Sequence, residues 1–437
     1  MDFKLRYFRY PYAIYKKRAL LEKSQWFDKQ YHKDNQLLLL KKLLSHSYAH
    51  VPYYRNMFKA LGLTPADVDV PEKLSLLPLL TKDDVRNNFK ELIADNAALF
   101  DPVLSRSGGT TGTALEFYID KVTNVMEFAT VWRHWNWAGY RFGDRFCDLR
   151  GRIIRGDNPI QYDWRLNALF LSSYRMTRSV IGKYAQKLRA FKPTILRGYP
   201  SAIDIFARLL REQGINDIRP RAVITSSETL LAHQRANLQE VFGCTVYDTY
   251  GLEERSVAAG QCPHGNLHFD DEYGIMRVID NGVDVDNGNE GELVCTGLHS
   301  YAMPLINYRT NDLGTISTEK CPCGRGLSVA RSVTGRVEDM IITPDGRYVA
   351  GSGLSVAFKH SMGIRLSQIV QENIDEMTIK IVRAPTYTKH DETTLLANLR
   401  DRVGNVIRIN MEFVNDIPLT KAGKLKFVVS GVKPDVR

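Results

Sequence analysis

No apolar run in this 437-residue chain reaches the roughly 18 residues that a membrane-spanning helix needs. The N-terminus lacks an apolar leader core and a small-residue cleavage site, so no secretory signal is expected and the reading is cytoplasmic. In that compartment the six cysteines are not expected to form a disulfide framework. There is no internal repeat, no low-complexity tract and no obvious long linker. Residues 105–118, SRSGGTTGTALEFY, do not end in Gly-Lys-Ser/Thr, which excludes a Walker A loop. Negative charge is also short: 49 acidic against 59 basic residues give a net charge of +10 and a pI near 9.1.

What is present fits a globular protein of more than one domain, with 44% hydrophobic and 25% charged residues. Residues 1–23 hold seven of the basic residues against Asp2 and Glu22, interleaved with aromatics such as Tyr7, Tyr12 and Tyr15. A basic, aromatic segment can lie on an anionic membrane surface or hold a nucleic acid. It can equally pack its aromatics on the protein body and leave its lysines in water.

Helices are expected over 25–60, 82–98 and 121–137, the last rich in Trp132, Trp135 and Trp137. The leucines of LLLLKKLLSHSYAHV are too dense for one stripe and imply deep burial. Residues 187–214 read helix, strand, helix with Gly214 as cap, and 221–229 and 244–251 read strand then polar turn. Such alternation argues a parallel sheet with ligands at the strands' carboxyl ends. From 266 to 317 short strands alternate with DNG-type turns. Residues 377–385 and a helix near 394–407 form a small α+β unit, with a boundary near 335–340. Cys147, Cys244 and Cys295 sit in apolar contexts expected of core thiols.

Ser107, Gly108, Gly109, Thr110, Thr111 and Gly112 form a run of small residues before a β-prone stretch. Glycines let several backbone N–H groups converge on one anion, and the hydroxyls add donors, which suits a nucleotide's phosphates. CPHGNLH (262–268) and CPCG (321–324) supply thiolates and imidazoles, the donor set of a tetrahedral zinc. Cys262, His268, Cys321 and Cys323 are the expected ligands, with His264 in reserve. Four protein ligands make such a site structural.

Further on come YGLEE at 250–254, YRTND at 308–312, GRVED at 335–339 and PLTKAGK at 418–424. This ordered set resembles the adenylate-forming (AMP-binding) superfamily, in particular its phenylacetate-CoA ligase-like branch and the CapK-type proteins associated with polysaccharide biosynthesis. VPYYRNMF (51–58) and LPLLTKDDVR (77–86) are similar to that branch too, so the likeness spans almost the whole chain.

The resemblance implies an α/β fold: a large N-terminal adenylation domain, 1–335, carrying the zinc loops, and a small mobile C-terminal domain, 336–437. It implies ATP-dependent activation of a small carboxylic or amino acid to an acyl-adenylate, then transfer to a nucleophile. That acceptor is the thiol of coenzyme A or an amine on a sugar or lipid-linked glycan. Residues 107–112 would hold phosphates, and Glu254 would bind Mg²⁺. Asp312 would accept from the ribose hydroxyls of ATP or AMP, and Arg336 would contact the nucleotide. Ser227, Glu228 and Thr229 would lie on the adenine side, with Tyr250 and Gly251 beside them. Lys424 would stabilise charge during adenylation, and Glu338 sits at the hinge position. Pocket candidates between motifs are His134, Trp137, Tyr199 and Ser226. The resemblance leaves no role for nucleic acid; peripheral membrane contact through 1–23 stays open, at the inner face.

Two departures stand out: Glu253 replaces the threonine of the family's YGxTE, and Asn311 replaces the glycine of YRTGD. They motivate a second reading, a binding protein with the same fold but impaired catalysis. A third reading, a zinc-containing nucleic-acid-binding protein, rests on the pI and the CxC turn and leaves Glu254, Asp312 and Lys424 without a purpose.

Overall fold

The structure is a computed structural model that describes residues 10–107, 115–154, 156–280, 282–285, 288–334, 340–361, 363–418 and 426–432. Residues 1–9, Gly108–Gly112, Arg336, Glu338 and Lys424 lie outside the described residues. The chain is α/β and divides into two compact units. One comprises residues 1–105, 116–142 and 247–335; the other comprises 106–115, 143–246 and 336–437.

The first unit is built on antiparallel strands and a long helix. The strand order is Val283–Asp284, Gly274–Asp280, Gly291–Gly297, Tyr308–Ile316, Val329–Thr334, Leu267–Phe269, Ala258–Gln261, then Thr245–Gly251. Asp280 pairs with Val283, and Gly282 has φ +83°, a conformation that suits glycine. The helix Lys121–Trp137 begins at Asp120, whose carboxylate accepts from the Thr123 N–H at 2.8 Å. The other oxygen of that carboxylate accepts from the Tyr301 and Ala302 amides, so one residue starts the helix and ties it to the 297–303 loop. Trp132, Trp135 and Trp137 are all buried.

The second unit carries the expected parallel sheet, ordered Ala222–Ser226, Ile195–Gly198, Phe146–Leu149, Ala168–Leu171, with an antiparallel edge strand Ile160–Asp163. Helices Arg178–Phe191, Pro200–Glu212 and Ala232–Phe242 supply its apolar cover, through Ile181, Tyr184, Phe206, Leu210 and Phe242. Toward the C-terminus a four-stranded sheet, ordered Arg408–Phe413, Glu376–Arg383, Ile364–Asn373, Val428–Ser430, shares a core with the helix Lys389–Val403.

Two sequence expectations need correction. The leucine run is not deeply buried. In the helix Lys29–His50 the residues that turn inward are His32 and then Leu40, Leu43, Leu44 and Ser47, an i, i+3, i+4, i+7 stripe, while Leu38 is 53% exposed. Nor does a helix run over 82–98. It spans Lys82–Asn87, opened by a Thr81–Asp84 capping box and closed where the Asn88 side chain donates to the Asp84 carbonyl.

Candidate functional site

Two tyrosines and two carboxylates form the centre of the first unit's site. The strand Thr245–Gly251 delivers Tyr250 and leads into Glu254; the strand Tyr308–Ile316 carries Tyr308 and Asp312. The Tyr308 hydroxyl donates to Glu254 Oε1 at 2.8 Å, and the Tyr250 hydroxyl donates to Asp312 Oδ2 at 3.0 Å. Each motif's tyrosine thus holds the other motif's acid. Burial, then the adjacent carboxylate, pushes both phenols well above their usual range, so they stay protonated donors. A hydrogen bond to a charged group contributes roughly 1.5–3 kcal/mol, enough to fix both rotamers. Glu254 Oε2 has no protein donor among the described residues, which leaves an anionic oxygen for a hard cation.

The departures from the family pattern now have a physical reading. Asn311 adopts φ +62°, the left-handed region that glycine would occupy, and asparagine tolerates it better than most residues. The Asp312 amide donates to Thr310 Oγ1, closing a tight turn that sets the aspartate. Glu253 is exposed, whereas Glu254 is buried.

In the second unit, the Ser107 amide donates to the Leu115 carbonyl while Ser107 Oγ accepts from the Leu115 amide, closing the base of the glycine-rich stretch. Ser227 has φ +74° and its hydroxyl accepts from Arg150. Glu228 accepts from the Ser201 amide at the start of the helix Pro200–Glu212, a favourable place for an anion. Thr229 Oγ1 is buried with no partner among the described residues.

The cysteine and histidine loops converge in the first unit. Cys262 follows the strand Ala258–Gln261, His268 lies in Leu267–Phe269, and Cys321 and Cys323 occupy the turn before Val329–Thr334. Pairing of His268 with Gly260 on one side and Val329 on the other brings the loops together. All four ligand atoms lie within 4.8 Å of one another. Cys262 Sγ is 3.6 Å from Cys321 Sγ, and Cys323 Sγ is 3.4 Å from His268 Nε2. Tetrahedral zinc with ordinary bond lengths has S–S edges of about 3.8 Å and S–N edges of about 3.5 Å, so the cluster fits the metal. His268 Nδ1 contacts the Leu327 carbonyl at 3.3 Å, leaving Nε2 for the cluster, and burial pushes its pKa down to about 4. Burial raises the Cys262 thiol to about 12. Cys321 lies below its usual value, because donors including the Cys323 amide and Asn266 outweigh its burial. Two such sulfurs ionise together only beside a cation. His264 is exposed and outside the cluster.

Two pocket candidates belong to this region instead. His134 Nε2 lies 2.8 Å from the Asp270 carboxylate, and Trp137 Nε1 donates to Gln25 while its ring packs with Cys262 and Cys321. Tyr199 lines a cavity of about 10 Å³ with Tyr174, Ser201 and Gly353, room for one water. Sequence reasoning missed the partners Tyr308 and Arg133; the latter is fully buried between Asp270 and Glu272. These contacts join residues 54 to 139 positions apart, with no spacing to betray them.

Residues 341–431 match the CapK C-terminal domain family. The architecture is that of the adenylate-forming ligases. A solved 2-hydroxyisobutyryl-CoA ligase, in complex with 2-HIB-AMP and CoA, superposes with a TM-score of 0.62 over 93% of this chain and 91% of its own, at 19% identity. Within that class the sequence is similar to Protein CapK of Staphylococcus aureus, 26% identical over 87% of this chain and 85% of the relative. It is also similar to the phenylacetate-coenzyme A ligase of Pseudomonas putida, 29% identical over 74% of this chain and 75% of the relative. The resemblance read from the ordered motifs is borne out.

Proposed function

We propose that this protein is an adenylate-forming ligase. A substrate carboxylate oxygen attacks the α-phosphorus of ATP; the bond to the β-phosphate oxygen breaks and pyrophosphate leaves. A nucleophile then attacks the acyl carbonyl, loses its proton and expels AMP. The observation that carries this reading is the reciprocal brace, Tyr308 on Glu254 and Tyr250 on Asp312, on the motif positions at which such ligases bind Mg²⁺ and ribose. Charge built up at the α-phosphate calls for preorganised cations; Lys424 would supply one, and Glu254 would hold a Mg²⁺ that supplies another. The Cys262, His268, Cys321 and Cys323 centre would hold zinc with no open position and would set the fold of its loops rather than react.

Similarity to phenylacetate-coenzyme A ligases favours the coenzyme A thiol as acceptor, and the CapK-type C-terminal match keeps an amine acceptor in play. ATP–pyrophosphate exchange across a panel of acids, with and without coenzyme A, tests both. Lys424→Ala should lower exchange by roughly 100- to 1000-fold at unchanged melting temperature. Undiminished exchange removes Lys424 from the chemistry, and no exchange with any acid favours the binding-protein reading.

The N-terminal segment supports a peripheral role as well. The helix Pro11–Ser24 buries Ile14 and Leu21, while Tyr12, Tyr15 and Leu20 are 58–68% exposed on the face that carries Lys16 and Lys23. No described helix is long and apolar enough to cross a membrane. An aromatic, cationic face suits an anionic bilayer surface, at about 1 kcal/mol per basic residue. Replacing Tyr12, Tyr15 and Leu20 by serine should abolish salt-sensitive sedimentation with phosphatidylserine vesicles. If the native chain ignores such vesicles at low salt, the face has no membrane role.

A further inference from the structure

Among the described residues four arginines are less than a tenth exposed: Arg133, Arg255, Arg347 and Arg402. Three have two or more acceptors, although Arg133 Nε has no partner among the described residues and Arg402 has carbonyl acceptors only. Arg133 pairs with Asp270 and Glu272 and donates to the Leu21 carbonyl. Arg347 pairs with Asp345 at 2.8 Å and donates to the Tyr174, Arg402 and Val403 carbonyls. Arg402 donates to the Gly353 and Asn398 carbonyls.

Arg255 differs. Its side chain has one acceptor, the neutral Asn124 Oδ1 at 2.9 Å, and lies 5.9 Å from the Phe128 ring centre. It has no ion pair among the described residues. A guanidinium offers five N–H donors, and a buried charge without a counter-charge is expensive. Its backbone is pinned at φ +57°, and the bare Cα of Gly297 lets this loop pack against the neighbouring strand. A Cβ there would meet Ser256 Cα at 3.0 Å. The backbone is thereby fixed, and the side chain rests on Asn124 and Phe128.

Arg255 directly follows Glu254, about 3.8 Å away along the chain. Resting on the adenylation reading above, the carboxylate to be activated must come close to Glu254. The rest of the acid then lies within reach of a side chain as long as arginine. We propose that Arg255 binds a second anionic group on the acid, making this site selective for a diacid or a similarly charged acid over a simple monoacid. A planar guanidinium matches a carboxylate with two parallel hydrogen bonds, and Asn124 and Phe128 fix the plane of the fork. An acid lacking the second anion would leave the buried charge unpaired, which is how polar sites discriminate strongly.

The test is calorimetric titration of the full chain with succinate and glutarate against butyrate and valerate, in wild type, Arg255→Met and Arg255→Lys, alongside titration with ATP. In the wild type at least one diacid should bind roughly 100-fold more tightly than its monoacid match. Arg255→Met should collapse that ratio to near one, and Arg255→Lys should keep part of it. Equal binding of both series by the wild type overturns the proposal, as does a ratio that survives Arg255→Met. A loss confined to ATP also overturns it and assigns the guanidinium to the phosphates. Because binding is read without turnover, the two readings separate. Diacid preference without ATP–pyrophosphate exchange sinks adenylation alone, whereas exchange with no diacid preference sinks the Arg255 assignment alone.

Discussion

The two halves of the helix Lys121–Trp137 face opposite solutions to the same problem. Its C-terminal half presents Arg133 to Asp270 and Glu272, and Ser24 adds a hydroxyl donor to Glu272. Every charge there has a partner inside the chain. Its N-terminal half presents Asn124 and Phe128 to Arg255, a buried cation with no ion pair among the described residues. The cysteine cluster beyond the helix is the mirror case, sulfurs and an imidazole placed to hold a cation. A charge cluster closed within the chain holds structure by itself; the other two have the chemistry to take a group from outside.

The metal side of that contrast carries the largest effect. Structural zinc binds with roughly 10–16 kcal/mol in small peptides, so its site dominates local stability. Purified protein should hold about one zinc per chain, and Cys321→Ser should remove it and lower the melting temperature by roughly 10 °C or more. Metal-free protein of unchanged melting temperature would break the comparison at its strongest point.

The two arginines give the next test. Arg133→Met strands two buried carboxylates and should destabilise by roughly 3–5 kcal/mol in chemical denaturation. Arg255→Met strands none and should change stability by less than about 1 kcal/mol. Equal losses would mean that Arg255 is a structural residue after all.

Buried groups that titrate sharpen the contrast further. Burial lowers His299 to about 4 despite its bond to the Glu272 carbonyl, and burial raises Asp271 to about 7 despite the Ser328 amide. For His299 the folded value lies below the unfolded one. Its stabilisation is present above pH 6.5 and is lost as pH falls toward 4. For Asp271 the folded value lies above, so its stabilisation is full below pH 3.8 and is lost as pH rises through 7. The two oppose each other between pH 4 and 6.5, each by on the order of 3 kcal/mol at most. His299→Gln should leave stability falling with rising pH in that window, and Asp271→Asn should leave it falling with decreasing pH. Melting curves across pH 4–7 that do not separate the variants would reject both assignments.

Much of this was legible in the sequence, for physical reasons. The YGLEE and YRTND motifs keep their acids beside their tyrosines, and short cysteine spacings survive as strings because a turn brings neighbours together. The helix over 121–137 was legible to its observed bounds. The leucine run at 37–44 misled because composition does not say which side of a helix meets the core. Residues 88–98 misled because a single asparagine side chain closed the helix early. The Arg133 network was invisible: Ser24, Arg133, Asp270 and Glu272 are brought together only by tertiary packing. Arg255 was passed over for its neighbour Glu254, since an unpaired charge is defined by what surrounds it.

Gly326 sits where a Cβ would lie 1.8 Å from the Phe27 carbonyl, so the 324–327 turn and the end of the N-terminal helix touch backbone to backbone. Arg325 lies 4.6 Å from the Trp26 ring centre and 4.5 Å from that of Trp137, and the Gln25 amide oxygen accepts from both Arg325 and Trp137. Two indoles are thereby wired to the cysteine turn through one guanidinium. Their emission becomes an intrinsic gauge of that turn, one that needs no added dye. Spectral change on chelation would date the release of the first helix relative to global melting, from a signal the chain already carries.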